Sequence, residues 1–89
     1  MARRLALITG ASAGIGAAFA RIFAAQGYDV ALTARRAERL DALAAEITMR
    51  FGVEAYPIPA DLADPAGPDA VLEALAAQGR AVDALVNNA

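Results

Sequence analysis

Three glycines set within Thr9-Gly10-Ala11-Ser12-Ala13-Gly14-Ile15-Gly16 are the residues of this chain whose spacing reads most directly as chemistry. An apolar run from Leu5 to Ile8 precedes them and reads as a buried parallel strand. Ile15, Ala18, Phe19, Ile22 and Phe23 follow at i, i+3, i+4, i+7 and i+8 and mark one face of a helix. The first turn of a helix carries backbone N–H groups with no intrahelical partner, at the positive end of the macrodipole. A strand, a tight glycine turn and a helix start therefore make a seat for a phosphate diester. Gly10 can leave the strand at φ values closed to other residues. Gly14 and Gly16 lack the Cβ atoms that would hold a pyrophosphate off the backbone and the helix off the sheet. Ser12 either donates its hydroxyl and N–H to that anion or caps the helix, and both roles can hold at once. Ile15 is expected to give its N–H to phosphate and its side chain to the core. The expected occupant is a dinucleotide.

Further polar groups stand where strands are expected to end. The Arg35 and Arg36 guanidiniums can pair with phosphate through charge-assisted, often bidentate hydrogen bonds. The alternative is a solvated basic start to a helix, which would sit poorly with its dipole. Asp61 is an acceptor in the same region, or an ordinary aspartate in a loop before a helix. Asn87 and Asn88 end an otherwise apolar strand, where amides are expensive to bury without partners. Arg39, Asp41 and Glu46 read as the solvated face of a helix.

The elements that must position these groups alternate between strand and helix, which points to βαβ units and a parallel sheet. Strands are expected at residues 5–9, 29–33, 53–58 and 84–87. Helices are expected at about 15–26 and 37–50, with Gly27 and Gly52 ending them. Leu40, Leu43, Ile47 and Phe51 form the buried side of the second helix. Asp64 and Pro65 read as N-cap and first residue of a third helix, although Pro68 shifts that start by a few residues if it takes over the role. Val71, Leu72 and Leu75 supply its apolar stripe and Gly79 closes it. Pro57 and Pro59 place the third strand near the sheet's edge. Right-handed crossovers give the order 3-2-1-4, with a ligand crevice at the carboxyl ends of the strands where the winding reverses.

The turn spacing is neither G-x-G-x-x-G nor a P-loop, since no Lys follows Gly16. It resembles the T-G-x-x-x-G-I-G turn of the short-chain dehydrogenase/reductase family, classical type. Thr33-Ala34-Arg35-Arg36, Asp61-Leu62 and Asn87-Asn88-Ala89 match that family in the same order, the last as its N-N-A-G motif without the glycine. The resemblance spans the whole chain and implies an α/β, Rossmann-type doubly wound parallel sheet. It implies cofactor contacts from Gly10, Ser12, Ala13, Gly14, Ile15, Gly16, Arg35, Arg36, Asp61, Leu62, Asn88 and Ala89. By the family pattern a carboxylate for the ribose hydroxyls would stand at Ala34. Its absence, with Arg35 and Arg36 next in the chain, implies NADP rather than NAD. Asp61 and Leu62 resemble the adenine clamp, Asn87 braces the central sheet, and Asn88 with the Ala89 backbone lies beside the cofactor ribose.

The resemblance also implies hydride transfer between a nicotinamide and a carbonyl or alcohol, by a Tyr helped by a Lys four residues on, a Ser and an Asn. No catalytic residue is assigned here: the chain has no Lys, and Tyr28 and Tyr56 lack the required spacing. The 89 residues are expected to be the N-terminal, cofactor-binding part of one domain, about the first third of the family pattern. The catalytic remainder, and a homo-oligomer, belong to the full-length protein. The alternative is a nucleotide-binding module or interaction subunit without chemistry of its own.

Composition bounds what else the chain could be. At 58% hydrophobic it is too apolar for a disordered region, and its net charge of −2 gives no field to attract nucleic acid or an anionic membrane. An aromatic content of 6% is too low for a base-stacking platform. With neither Cys nor His, disulfides and the usual zinc ligand sets are excluded, and no metal site is expected. The basic and apolar N-terminus superficially resembles a signal peptide, but the turn accounts for the glycines that interrupt it. No apolar stretch has the roughly 20 residues a bilayer span needs, so a soluble cytoplasmic protein is expected.

Overall fold

A computed structural model, describing residues 3–88, shows a four-stranded parallel sheet with helices on both faces. The strands are β1 (Leu5–Thr9), β2 (Asp29–Ala34), β3 (Ala55–Pro59) and β4 (Ala84–Val86). The helices between them are α1 (Gly14–Ala25), α2 (Ala37–Phe51) and α3 (Gly67–Ala77). The sheet order is β3-β2-β1-β4, the doubly wound arrangement that the alternating pattern predicts. In register, Ile8 of β1 faces Leu32 on one side and Val86 on the other. All of β1 is buried, because a parallel strand covered on both faces has no polar side to spend.

Two cores result. On one face Ile8, Val30 and Leu32 pack with Leu40, Leu43 and Ile47 of α2 and the alanines of α1. On the other, Leu5, Leu7 and Ala31 pack with Val71 and Leu75 of α3. Leu40 and Ile47 are fully buried, each worth about 1.5–3 kcal/mol of transfer free energy. Phe51, expected beside them, is half-buried at the helix end.

The first helix departs from its sequence reading. Ile15, Phe19 and Ile22 are exposed by 66%, 37% and 55%, while Gly16, Ala17, Ala20 and Ala24 make the buried face. The cause is the close approach at Gly16, where a Cβ would overlap the Gly10 carbonyl oxygen. That contact seats the small residues on the sheet and turns the large stripe outwards. Phe23 keeps a half-buried place, edge-on to Tyr28 with ring centroids 5.0 Å apart.

Smaller shifts have local causes too. β3 begins at Ala55 rather than Val53; just before it, the Glu54 N–H donates to the Asp29 carboxylate at 2.8 Å. Its prolines sit on a strand at the sheet edge, as their missing N–H groups require. α3 starts at Gly67, because the Asp64 carboxylate accepts from the Ala66 N–H and the Asp64 carbonyl from the Gly67 N–H, each at 2.9 Å. Residues 64–67 are thus a turn, and Pro68 falls in the first helical turn. Leu72, expected on the buried stripe of α3, is 53% exposed. β4 ends at Val86, one residue before Asn87.

At the amino ends of the strands, away from the glycine turn, Arg80 reaches the buried Asp29 at 3.0 Å and the Arg3 carbonyl at 2.9 Å. Burial works against the Arg80 charge, but the hydrogen bonds to Asp29 and Tyr56 outweigh it and raise its pKa. This clamp ties β1, β2 and the last helix together. Among the described residues, no helix is long and apolar enough to cross a membrane.

Candidate functional site

The carboxyl ends of the strands open onto one cavity of about 550 Å³. It is bounded by the glycine turn after β1, the arginines after β2, the Asp61 loop after β3 and Asn88 after β4. The turn is built by three different uses of glycine. Gly10 has φ +61°, and a Cβ on it would stand 2.5 Å from the Asn88 carbonyl oxygen. Gly16 holds the close approach of helix to turn. Gly14 has φ +60° and its missing Cβ would meet nothing, so its face towards the outside is bare backbone. The Ala11 N–H donates to the Thr33 carbonyl at 3.1 Å and moors the turn to β2.

Ala13 is the N-cap of α1; no side chain caps this helix and its first turn holds no acidic residue. The capping role considered for Ser12 is therefore not taken up, and the first-turn N–H groups keep their capacity for an anion. Ser12 lines the cavity. Ile15 does not place its side chain in the core: with the helix turned on its alanine face, that side chain stands in solvent.

Arg35 and Arg36 line the cavity where β2 ends, and Arg36 is the N-cap of α2. Arg39, in the first turn of α2, lines the same cavity although its position on the helix reads as a solvated face. Ion pairs within 4.0 Å among the described residues involve Arg3, Arg21, Arg50 and Arg80, and none of these three. Asp61 is exposed on the opposite wall; one carboxylate oxygen accepts from the Ala63 N–H at 3.0 Å. Its backbone is fixed by Gly67, where a Cβ would overlap the Asp61 carbonyl. Leu62 lies beside it, half-buried on the α3 core.

The two asparagines are organised by Thr9, whose type at the end of an apolar strand was the available sequence signal. The Thr9 hydroxyl accepts from the Asn88 N–H at 2.8 Å and donates to the Asn87 Oδ1 at 3.0 Å. Asn88 thereby faces the cavity, while Asn87 lines an apolar hollow of about 420 Å³ on the α3 side of the sheet. Ala89 lies outside the described residues. Thr33, in register with Thr9, borders both spaces, and its buried hydroxyl has no partner among the described residues.

A parallel sheet wound in both directions from β1, with a glycine turn at the reversal, defines a Rossmann-type α/β fold. The sequence pattern of the short chain dehydrogenases matches residues 4–89. A probable NADP-dependent dehydrogenase of Dichelobacter nodosus is 45% identical over 85 residues, covering 96% of this chain and 76% of that protein. Serine 3-dehydrogenase of Agrobacterium fabrum is 47% identical over 83 residues, which are 93% of this chain and 32% of that enzyme. Among solved structures, L-sorbose reductase of Gluconobacter frateurii, complexed with NADPH and L-sorbose, superposes with a TM-score of 0.95 at 41% identity. That match covers 99% of this chain and 34% of the reductase. The chain belongs to the short chain dehydrogenase family, and it spans about a third of the length of the last two relatives.

Proposed function

We propose that this chain is the NADP-binding part of an oxidoreductase that moves hydride between a nicotinamide cofactor and a small carbonyl or alcohol substrate. The observation that carries the reading is the chemistry of one cavity. Gly10, Ser12 and guanidiniums without carboxylate partners among the described residues line it at the reversal of the sheet, and the uncapped helix start with the bare backbone of Gly14 adjoins it beyond Ser12. The residues fit a phosphorylated dinucleotide. Gly10, Ser12, Ala13, Gly14, Ile15 and Gly16 would receive the pyrophosphate on backbone N–H groups and a hydroxyl. Arg35 and Arg36 would take the 2′-phosphate, for which Ala34 leaves out the competing carboxylate. Asp61 and Leu62 would hold the adenine, and Asn88 with Ala89 the ribose. The bound nicotinamide supplies the hydride acceptor or donor; these residues bind and orient it. A relative named for NADP and a structure solved with NADPH support the cofactor choice.

The acid–base group belongs to another part of the protein. Tyr28 is packed on Phe23, and Tyr56 donates to Glu54 and accepts from Arg80 at 2.9 Å. The hydrogen bond to Glu54, followed by burial, raises the Tyr56 pKa, the opposite of what a general base near neutral pH requires. The reading carries with it a catalytic remainder in the same domain, a soluble cytoplasmic location and a homo-oligomer in the full-length protein. The test is nicotinamide absorbance of the intact protein against a panel of ketones and secondary alcohols, with nucleotide binding measured in parallel. Turnover with NADP(H) is expected. Binding without turnover would favour a nucleotide-binding module, and the absence of both binding and turnover would sink the reading.

A further inference from the structure

We infer that Arg39 closes a clamp with Arg35 on the 2′-phosphate and so sets how strongly the site prefers the phosphorylated cofactor, a deepening that rests on the NADP reading above. The main cavity and a groove of about 350 Å³ between α1 and α2 share two lining residues, Ser12 and Arg39. Arg39 therefore stands between the glycine turn and the Arg35 corner. Ala13 and Gly14, on the groove's other wall, are small enough to leave a long side chain room to cross it.

The local charge balance points the same way. Glu46 also lines the groove, but Arg21 engages it in a bidentate pair at 2.7 and 2.9 Å and Arg50 approaches it at 3.9 Å. No carboxylate among the described residues lies within ion-pair distance of Arg39. Arg36 and Arg39 both sit in the N-cap and first turn of α2, with Glu38 as the one acidic residue there. The helix dipole disfavours cations at that end, and a bound dianion would relieve the conflict. Arg39 would meet it with two parallel N–H donors, a geometry that Lys cannot copy.

The experiment is calorimetric titration of the intact protein with NADP and NAD, and with adenosine 2′,5′-bisphosphate against adenosine 5′-monophosphate. Arg39→Ala, an exposed change, is expected to weaken both 2′-phosphorylated ligands about three- to tenfold and leave the other two within about twofold. Arg39→Lys should recover part of the loss, and the loss should shrink in high salt. An unchanged ratio in Arg39→Ala, with a wild type that prefers NADP, overturns the role of Arg39 alone. A wild type without any such preference overturns the cofactor reading on which it rests.

Discussion

Replacing the turn glycines by alanine separates three physical effects that the motif conceals. Gly16→Ala adds a methyl inside α1, where alanine is favoured over glycine by about 0.8–1 kcal/mol. Against that gain, the new Cβ would overlap the Gly10 carbonyl oxygen and lie 3.0 Å from the Asn88 side-chain nitrogen. The obstacle is backbone, so the helix must lift from the sheet, which puts the cost near the top of the usual overpacking range of about 1–3 kcal/mol. The net is a loss of about 2 kcal/mol. Gly14→Ala meets open space and carries only the strain of φ +60°, about 1–2 kcal/mol. Gly10→Ala combines that strain with a Cβ 2.5 Å from the Asn88 carbonyl, for about 3 kcal/mol or more. Urea unfolding of the intact protein should rank the losses as Gly10 largest, then Gly16, then Gly14. NADPH titration should show Gly14→Ala losing more affinity than its stability loss would suggest, since its methyl would cover bare backbone at the uncapped helix start proposed to receive the pyrophosphate. A Gly16→Ala protein as stable as wild type would refute the close-approach argument.

Three other outcomes follow from the same geometry. Thr9→Val keeps the shape but strands the Asn88 N–H and Asn87 Oδ1, so a loss of about 1–3 kcal/mol and weaker nucleotide binding are expected in unfolding and titration experiments. The hydrogen bond from Arg21 holds the Glu46 carboxyl below its usual pKa. A depressed folded value means stability that is present above the unfolded pKa and lost as pH falls through the folded one, and an NMR titration of Glu46 should move up towards the ordinary value in Arg21→Ala. A polypeptide of residues 1–89 alone, with Ile15, Phe19, Ile22, Leu72 and Leu85 exposed, should aggregate, whereas sharp NMR lines from a monomer would contradict this.

Much of the fold was legible because parallel strands and α2 announce themselves by burial: Leu5 to Thr9 and the Leu40, Leu43, Ile47 spacing need only one reading each. The α1 face was not legible, because hydrophobic size and hydrophobic burial part company there. Periodicity weighs Ile15 and Phe19 above Ala17 and Ala20, yet a helix held close to a sheet buries its smallest side. The start of α3 was blurred by two competing helix signals, and the Asx turn of Asp64 left the role to Gly67 and Pro68. In the site, Gly10, Ser12 and the polar residues Arg35, Arg36, Asp61 and Asn88 at strand ends were readable as neighbours, and they line one cavity. Arg39 was not, since nothing in its spacing tells that a residue of the first turn of α2 lines the cavity. Thr9 and Thr33 left a faint signal as hydroxyls in apolar strands, and only the register shows them side by side.

The central claim is that the corner after β2 recognises a 2′-phosphate. Its most direct test is the ratio of NADP to NAD affinity of the intact protein, measured for wild type, Arg35→Ala and Ala34→Asp. A charge-assisted hydrogen bond of about 1.5–3 kcal/mol makes Arg35→Ala lower the ratio about ten- to hundredfold through NADP alone. Ala34→Asp should repel the phosphate, offer the ribose an acceptor and move the preference towards NAD. A wild-type ratio near one, or a ratio that neither substitution alters, would contradict the account.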